Sequence, residues 1–309
     1  MINKLLPCVG KYKIYAILAP LMMLVEVAME VLLPIVMKNI IDIGINGNNP
    51  DYCLKYGLLM IAMSLFSMLG GALSGRFTAV AGTGFAKGIR KKLFDKIQDF
   101  SFYNVDRYST ASLVTRLTTD VTNTQMAFMT VIRILVRGPA MLIFATIMAI
   151  TINPSLSLIF AFAIPVLGVS LFLIMTKAHP RFKLMLKKYD QLNSDVQEDL
   201  VAIHTVQSYV REDYENEKFK YCSDEVRRTQ VRAEKLIILN GPIMQLCMYG
   251  CMLAVFWFGA DFAIHGTLTA GDITSFITYI IQILMSLMMI AMSFVQIVIS
   301  RASMNRIVE

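Results

Sequence analysis

Charge is what this sequence has little of. Only 17% of its 309 residues are Asp, Glu, Lys or Arg, against 56% hydrophobic, and the mean hydropathy is +0.59. A soluble chain of this length would form one or two domains and carry more charge, so the composition points to a multi-spanning membrane protein. Histidines number three, and His179, His204 and His265 stand far apart in sequence, so no Ser-His-Asp or metal set stands out. The cysteines, Cys8, Cys53, Cys222, Cys247 and Cys251, are odd in number and contain no CxxC. Cys247 and Cys251 share a helix face without a His or acid to complete a metal site, so inert thiols are expected. The opening MINKLLPCVGKYKIY lacks an apolar stretch followed by a small-residue cleavage site, so a removable signal peptide is not expected. A phosphate-binding loop is missing as well. It needs G-x-x-x-x-G-K-S/T, whose backbone amides and lysine hold the phosphates. The nearest glycine cluster, AGTGFAKGIRKK, lacks the closing Gly-Lys-Ser/Thr, and its glycines are expected to serve close helix packing. The chain is therefore not expected to hydrolyse ATP alone.

What is present is apolar segments separated by two long polar runs. Met1 to Lys13 is short and mildly basic, and either lies along the membrane surface or frays. Spans are expected over about 14–37, 56–75, 133–152, 156–176, 236–260 and 273–300. Gly138 to Thr176 covers roughly 39 positions, about twice what one span needs, and Asn153-Pro154-Ser155 divides it. Lys38 to Lys55 reads as a polar external loop around the turn Gly47-Asn48-Asn49-Pro50. Pro34 is expected to kink the first span. Gly241-Pro242 marks a bend in the fifth. The second span carries Ser64, Ser67, Gly70, Gly71, Ala72, Ser74 and Gly75, small residues that permit close helix contact.

The polar runs 76–132 and 177–235 are patterned. Phe85, Ile89, Leu93 and Ile97 recur at helical spacing, as do Leu113, Leu117, Val121, Thr124, Phe128 and Ile132. Phe182, Met185, Tyr189, Leu192, Val196 and Ile203 form a similar stripe in the second run. Each run reads as a helical hairpin with arms of about 25 residues, roughly 40 Å long at ~1.5 Å per residue. The expected reversals lie near Phe100 to Ala111 and Ala202 to Arg211. The fold class expected is an all-α membrane protein: six transmembrane helices with two long cytoplasmic helical hairpins. Orientation follows from charge. Of 29 Lys and Arg, only Lys38 and Lys55 fall on the side opposite the hairpins and termini. That asymmetry places the hairpins in the cytoplasm. It also accounts for the net charge of +7 without a nucleic-acid partner.

Glu26 and Glu30 are anomalous, because they lie four apart on one face of the first span. A carboxylate near the bilayer centre costs several kcal/mol, roughly, so this face should meet protein or water. It either lines a water-filled pathway for cationic cargo or protons, or is satisfied by protonation or a neighbouring helix. Gln282, Met289 and Gln296 are seven apart on one stripe of the sixth span. With Gln245, Ser286 and Ser293 they complete the candidate cavity set. The 22 methionines suit adaptable apolar binding, and equally suit gap filling.

The hairpin tips carry a resemblance. FSFYNVDRYSTASLVTRLTTDVTNTQ is similar to the first intracellular loop of bacterial multidrug half-transporters, near F-x-x-x-x-G-x-L-x-x-R-x-x-x-D. Leu113, Arg116 and Asp120 match, while Ala111 replaces a frequent Gly, a variant associated with the heterodimeric branch. EDLVAIHTVQSYVREDYENEKF resembles the second loop, E-x-L-x-G-I-x-x-V-K-x-F-x-x-E-x-x-E-x-x-x-F. Glu198, Leu200, Ile203, Val206, Glu212, Glu215 and Phe219 match, whereas Ala202, Gln207 and Tyr209 depart. LTAGDITSFITYI and RASMNRIVE resemble the entry to and exit from the sixth span. The chain thus resembles the transmembrane domain of ABC exporters of the type IV class, over essentially its whole length. The resemblance implies that the tips are coupling helices docking on nucleotide-binding domains, through Phe102, Tyr103, Asp106, Arg107 and Tyr108, and through Ala202, Ile203, His204, Val206 and Tyr209. The alternative is a solvated turn, disfavoured by the aromatic cluster Phe100, Phe102, Tyr103 and Tyr108.

The resemblance further implies ATP and Mg bound by nucleotide-binding domains that these 309 residues do not include, either continuous with them or on a separate chain. It also implies a second half-transporter, identical or not, in a bacterial plasma membrane. Function is read as the permease part of an ATP-driven exporter that moves amphipathic, cationic compounds outward by alternating access. A lipid or peptide exporter keeps the same architecture. An ATP-independent secondary transporter, which should show broken helices and charged pairs at the midplane, and a receptor or channel are the other readings.

Overall fold

In a computed structural model of the chain, residues 5–101, 103 and 108–309 are described. All regular elements among them are helical. The helices are α1 (Lys13–Asn39), α2 (Pro50–Gln98), α3 (Thr110–Thr115), α4 (Val121–Ile152), α5 (Pro154–Val201), α6 (Ile203–Ser208), α7 (Glu212–Ile238), α8 (Asn240–Ile264) and α9 (Ala270–Val308). Among the described residues, six helical stretches are long and apolar enough to cross a membrane. Helices suit that solvent because they satisfy every interior N–H and C=O within one segment. Expected spans and expected arms merge into single rods. α2 runs 49 residues and α5 runs 48, about 70 Å each at ~1.5 Å per residue.

The reversals away from the hairpins are short and capped. The side chain of Asn49 accepts from the Tyr52 N–H at 3.2 Å, and Pro50 opens α2. Asn153 repeats the device, accepting from the Leu156 N–H at 3.0 Å with Pro154 opening α5. Proline costs nothing at this position because its missing N–H would be unpaired anyway. Thr269 and Asp272 form a reciprocal capping box on α9.

The expected loop from Lys38 to Lys55 is corrected: α1 continues through a π-helical turn, Ile40–Ile45, and α2 already begins at Pro50. The reason is that its polar groups find partners. Asp42 accepts from the Thr269 hydroxyl and, at 3.0 Å, from the Gly271 N–H, while Lys38 pairs with Asp272 at 2.6 Å. Pro34 lies inside a continuous α1. The fifth stretch breaks at Leu239, between α7 and α8, where Pro242 removes a donor.

The chain divides into two compact units: Met1–Ala161 with Cys251–Glu309, and Phe162–Gly250. In the first, Leu6–Tyr12 forms a 3-10 helix that neither frays nor stands free. Leu5 and Val9 are buried with Phe85, Ala86, Ile89, Val121 and Ile307. Gly88 makes this approach possible, since a Cβ there would clash with the Cys8 carbonyl oxygen. The glycine cluster expected to serve close packing seats this segment, Gly84 facing Tyr12 and Gly88 facing Cys8. In the second unit, α5 and α7 run antiparallel, joined by Lys188–Glu225 at 2.9 Å, Cys222–Asp195 at 3.4 Å and Lys218–Asp199 at 3.5 Å.

Candidate functional site: an ion-paired triad in the membrane helices

Proline is where the site begins. Pro34 has no N–H, so the Glu30 carbonyl one turn earlier has no helical donor. The Gln282 Nε2 of α9 approaches it at 3.4 Å. Two further α9 side chains reach the same strip of α1. The Tyr279 hydroxyl donates to the Val31 carbonyl at 2.9 Å, and the Ser275 hydroxyl to the Pro34 carbonyl at 2.8 Å. Positions 275, 279 and 282 follow the 4-and-3 spacing of one helix face. Tyr279 and Ser275 are fully buried. Each such bond is worth about 1 kcal/mol net, and leaving the buried donor unmade costs more.

On another side of α1, Arg137 of α4 sits between the two glutamates. Its Nη2 pairs with Glu30 Oε2 at 2.7 Å, and its Nη1 with Glu26 Oε1. The side chains of Glu26, Arg137 and Glu30 are 14%, 23% and 31% exposed. The Glu26 side chain has room because Gly71 faces it; a Cβ at 71 would come within 2.9 Å of Glu26 Oε2. Ser67 and Ser74 of α2 donate to the Glu26 and Ala19 carbonyls, at 3.5 and 2.9 Å. The small-residue stripe of the second span therefore holds α2 against α1 beside the acids.

Arg137 was not part of the expected cavity set. Position 137 falls near the start of the expected third span, 133–152, and the structure sets it at the level of Glu26 and Glu30. The signal was present, since two intramembrane acids call for a cation. The remaining cavity residues distribute unevenly. Ser286 and Ser293 are buried, and their hydroxyls return to the Ile283 and Met289 carbonyls of their own helix, at 2.7 and 2.8 Å. Met289 is 38% exposed, and Gln296 is partly so. Gln245 is exposed on α8 and belongs to the second unit, Phe162–Gly250. Among the described residues, Glu26 Oε2 and Gln282 Oε1 are buried acceptors with no hydrogen-bond partner.

A second cluster lies on the return arm of the first hairpin, close to its tip. Asp120, fully buried, receives the Arg306 guanidinium in a two-pronged contact, with Nε at 2.8 Å. Arg306 holds the Asp120 carboxyl below its usual range. Arg116 donates to the Arg306 carbonyl and pairs with Glu309 at 3.3 Å, and Asn123 donates to the Ser303 hydroxyl at 3.2 Å. Arg116 and Asp120 are two of the residues that carry the loop resemblance, and both are committed to the end of α9.

At the first tip, Phe102, Asp106 and Arg107 lie outside the described residues. Phe100 and Tyr108 stack with centroids 5.9 Å apart and are half-buried, with the Arg116 guanidinium 4.9 Å from the Tyr108 ring. Tyr103 is 74% exposed. So the expected exposed aromatic cluster narrows to Tyr103 among the described residues. At the second tip, α6 carries Ile203, His204 and Val206, bracketed by Ala202 and Tyr209. Ile203, His204 and Tyr209 are exposed, while Ala202 and Val206 are half-buried.

The family model for the ABC transporter transmembrane region matches residues 16–287. This chain belongs to that family. It is a multi-pass membrane protein. It is similar to the uncharacterized ABC transporter ATP-binding protein YfiB of Bacillus subtilis (strain 168), 29% identical over 307 residues, which is 99% of this chain and 54% of that one. An uncharacterized ABC transporter ATP-binding protein of Mycobacterium tuberculosis, MT1311, is 27% identical over 95% of this chain and 51% of its own length. An ATP-dependent lipid A-core flippase of Pseudomonas savastanoi pv. phaseolicola is 28% identical over 72% of this chain and 36% of its own length. The chain spans about half the length of the first two relatives.

Proposed function

We propose that this ABC transporter transmembrane region is the permease part of an ATP-driven exporter for amphipathic, cationic compounds. The observation that carries the reading is the triad. Two carboxylates share one guanidinium inside apolar helices, so an excess negative charge is held where an uncompensated ion is costly. A cation arriving there removes that penalty. The hairpins face the cytoplasm, and their tips receive nucleotide-binding domains. Support comes from the Lys and Arg asymmetry and from relatives named as ATP-binding proteins. A second half-transporter completes the chamber. ATP-driven closure of the domains moves the tips, and the rods α2 and α5 carry the displacement into the membrane.

The test uses the complete transporter in inside-out vesicles. ATP-dependent accumulation of ethidium should fall at least about tenfold in the Glu26→Gln/Glu30→Gln variant, the order of one lost charge pair at an effective dielectric near 20. Uptake of the uncharged dye Nile red should persist. Equal loss of both dyes, or of neither, refutes the cationic reading. A second reading, lipid export, is favoured by the similarity to proteins named lipid A-core flippases. It predicts ATP-dependent translocation of a labelled anionic lipid that ethidium does not compete with.

A further inference from the structure

The triad does more than supply negative charge; it supplies a counted amount. Glu26 and Glu30 contribute two negative charges, and Arg137 cancels one. The formal remainder is a single negative charge, in surroundings where an unmatched charge is expensive. Two acceptors, Glu26 Oε2 and Gln282 Oε1, are left without donors. Gln282 and Arg137 both touch Glu30, at the backbone and the carboxylate respectively. Glu30 is also the most accessible of the three ionic side chains.

We propose that Arg137 is the residue that sets the charge of the cargo, tuning the site for monocations over dications and neutral molecules. This rests on the cationic reading above. The physical reason is stoichiometric. A monocation brings the site to neutrality. A dication overshoots it, leaving an excess positive charge beside a guanidinium that cannot give up its proton. A neutral molecule leaves the original imbalance. Arg137 is thus a specificity-determining group that acts by subtracting charge. A fork geometry suits this role, because one planar cation reaches both carboxylates at once.

The consequence is a charge series. Wild type and Arg137→Lys each leave one negative charge. Glu26→Gln leaves none. Arg137→Gln leaves two. The double variant Glu26→Gln/Arg137→Gln returns to one. Ethidium and propidium share a phenanthridinium ring system and carry one and two positive charges. Their fluorescence on binding to the protein in lipid nanodiscs, at pH 8 to keep the carboxylates ionised, gives the two affinities directly. Nile red serves as the uncharged probe.

The expected ethidium-to-propidium affinity ratio favours ethidium in wild type and Arg137→Lys. It should fall by about tenfold or more in Arg137→Gln, the effect of one extra unit charge several Å away at an effective dielectric near 20. It should recover in the double variant. Recovery also answers the concern that Arg137→Gln misfolds, since a collapsed site is not restored by removing a second side chain. Nile red binding should stay within about twofold throughout, because it responds to apolar area alone. If ethidium binds, weakens in Glu26→Gln, and the ratio is unmoved by Arg137→Gln, the role of Arg137 is refuted while the cationic reading stands. If no variant alters ethidium binding, the cationic reading itself fails.

Discussion

Single side chains in this chain act through what they leave room for. Gly88 has the Cys8 carbonyl oxygen where its Cβ would be. Gly88→Leu should therefore lift the Leu6–Tyr12 segment, costing about 1–3 kcal/mol, as overpacking of a close contact does. The local readout is Cys8, a partly buried free thiol. Its maleimide labelling in intact protein should accelerate in the variant, and unchanged labelling would sink the account. Asp120 is the opposite case, a charge made tolerable by one partner. Asp120→Asn should lower stability by about 1–3 kcal/mol, read as a shift in thermal unfolding. The fully buried range is not reached because the Arg306 side chain is half exposed. The sign with pH follows. A carboxylate depressed in the folded state stabilises above its unfolded value, and that contribution disappears as pH falls through the folded one. Acidification below the ordinary carboxylate range should thus narrow the gap between wild type and Asp120→Asn.

At the level of the helices, what matters is that α9 is fastened to α1 at intervals along its upper half. Ser275, Tyr279 and Gln282 approach three α1 carbonyls, and the Asp42 and Lys38 contacts extend the seam beyond them. Tyr279→Phe removes one donor and keeps the ring, so it should cost about 0.5–1.5 kcal/mol. Differential scanning in detergent would measure it, and no shift would mean that the bond contributes nothing net. Much of the helical pattern was legible beforehand. Asn153-Pro154-Ser155 divides two spans as read, and the 3-and-4 stripes located the hairpin arms, whereas Asn49-Pro50, read as part of a loop, opens α2. The seam was not legible. Serine, tyrosine and glutamine on an apolar helix signal that a partner exists, but their acceptors are backbone carbonyls, which leave no trace in side-chain identity. Ile40–Ile45 was misread for the same reason. Asp42 and its neighbours looked like loop until Thr269 and Gly271, more than two hundred positions away, supplied their donors.

At the scale of the whole molecule, the six-span plan and the paired hairpins could be read from charge and hydropathy, because lipid enforces both. The acidic pair was visible for the same reason. Its neutralisation by Arg137 was not, since depth in a bilayer depends on how neighbouring helices slide past one another, and α4 begins far inside the polar run.

The brevity of the capped reversals has a practical corollary. Among the described residues, Asn46 to Asn49, Asn153, and His265 to Thr269 are all that separates helix from helix at these three turns. An antibody, a protease or a bulky label approaching from there finds almost nothing to grip. On the proposed cytoplasmic side it meets the two long polar runs, 76–132 and 177–235. Trypsin added to sealed vesicles should shred one population of insertions and leave its mirror image whole, so a single digest would report which way the molecule sits.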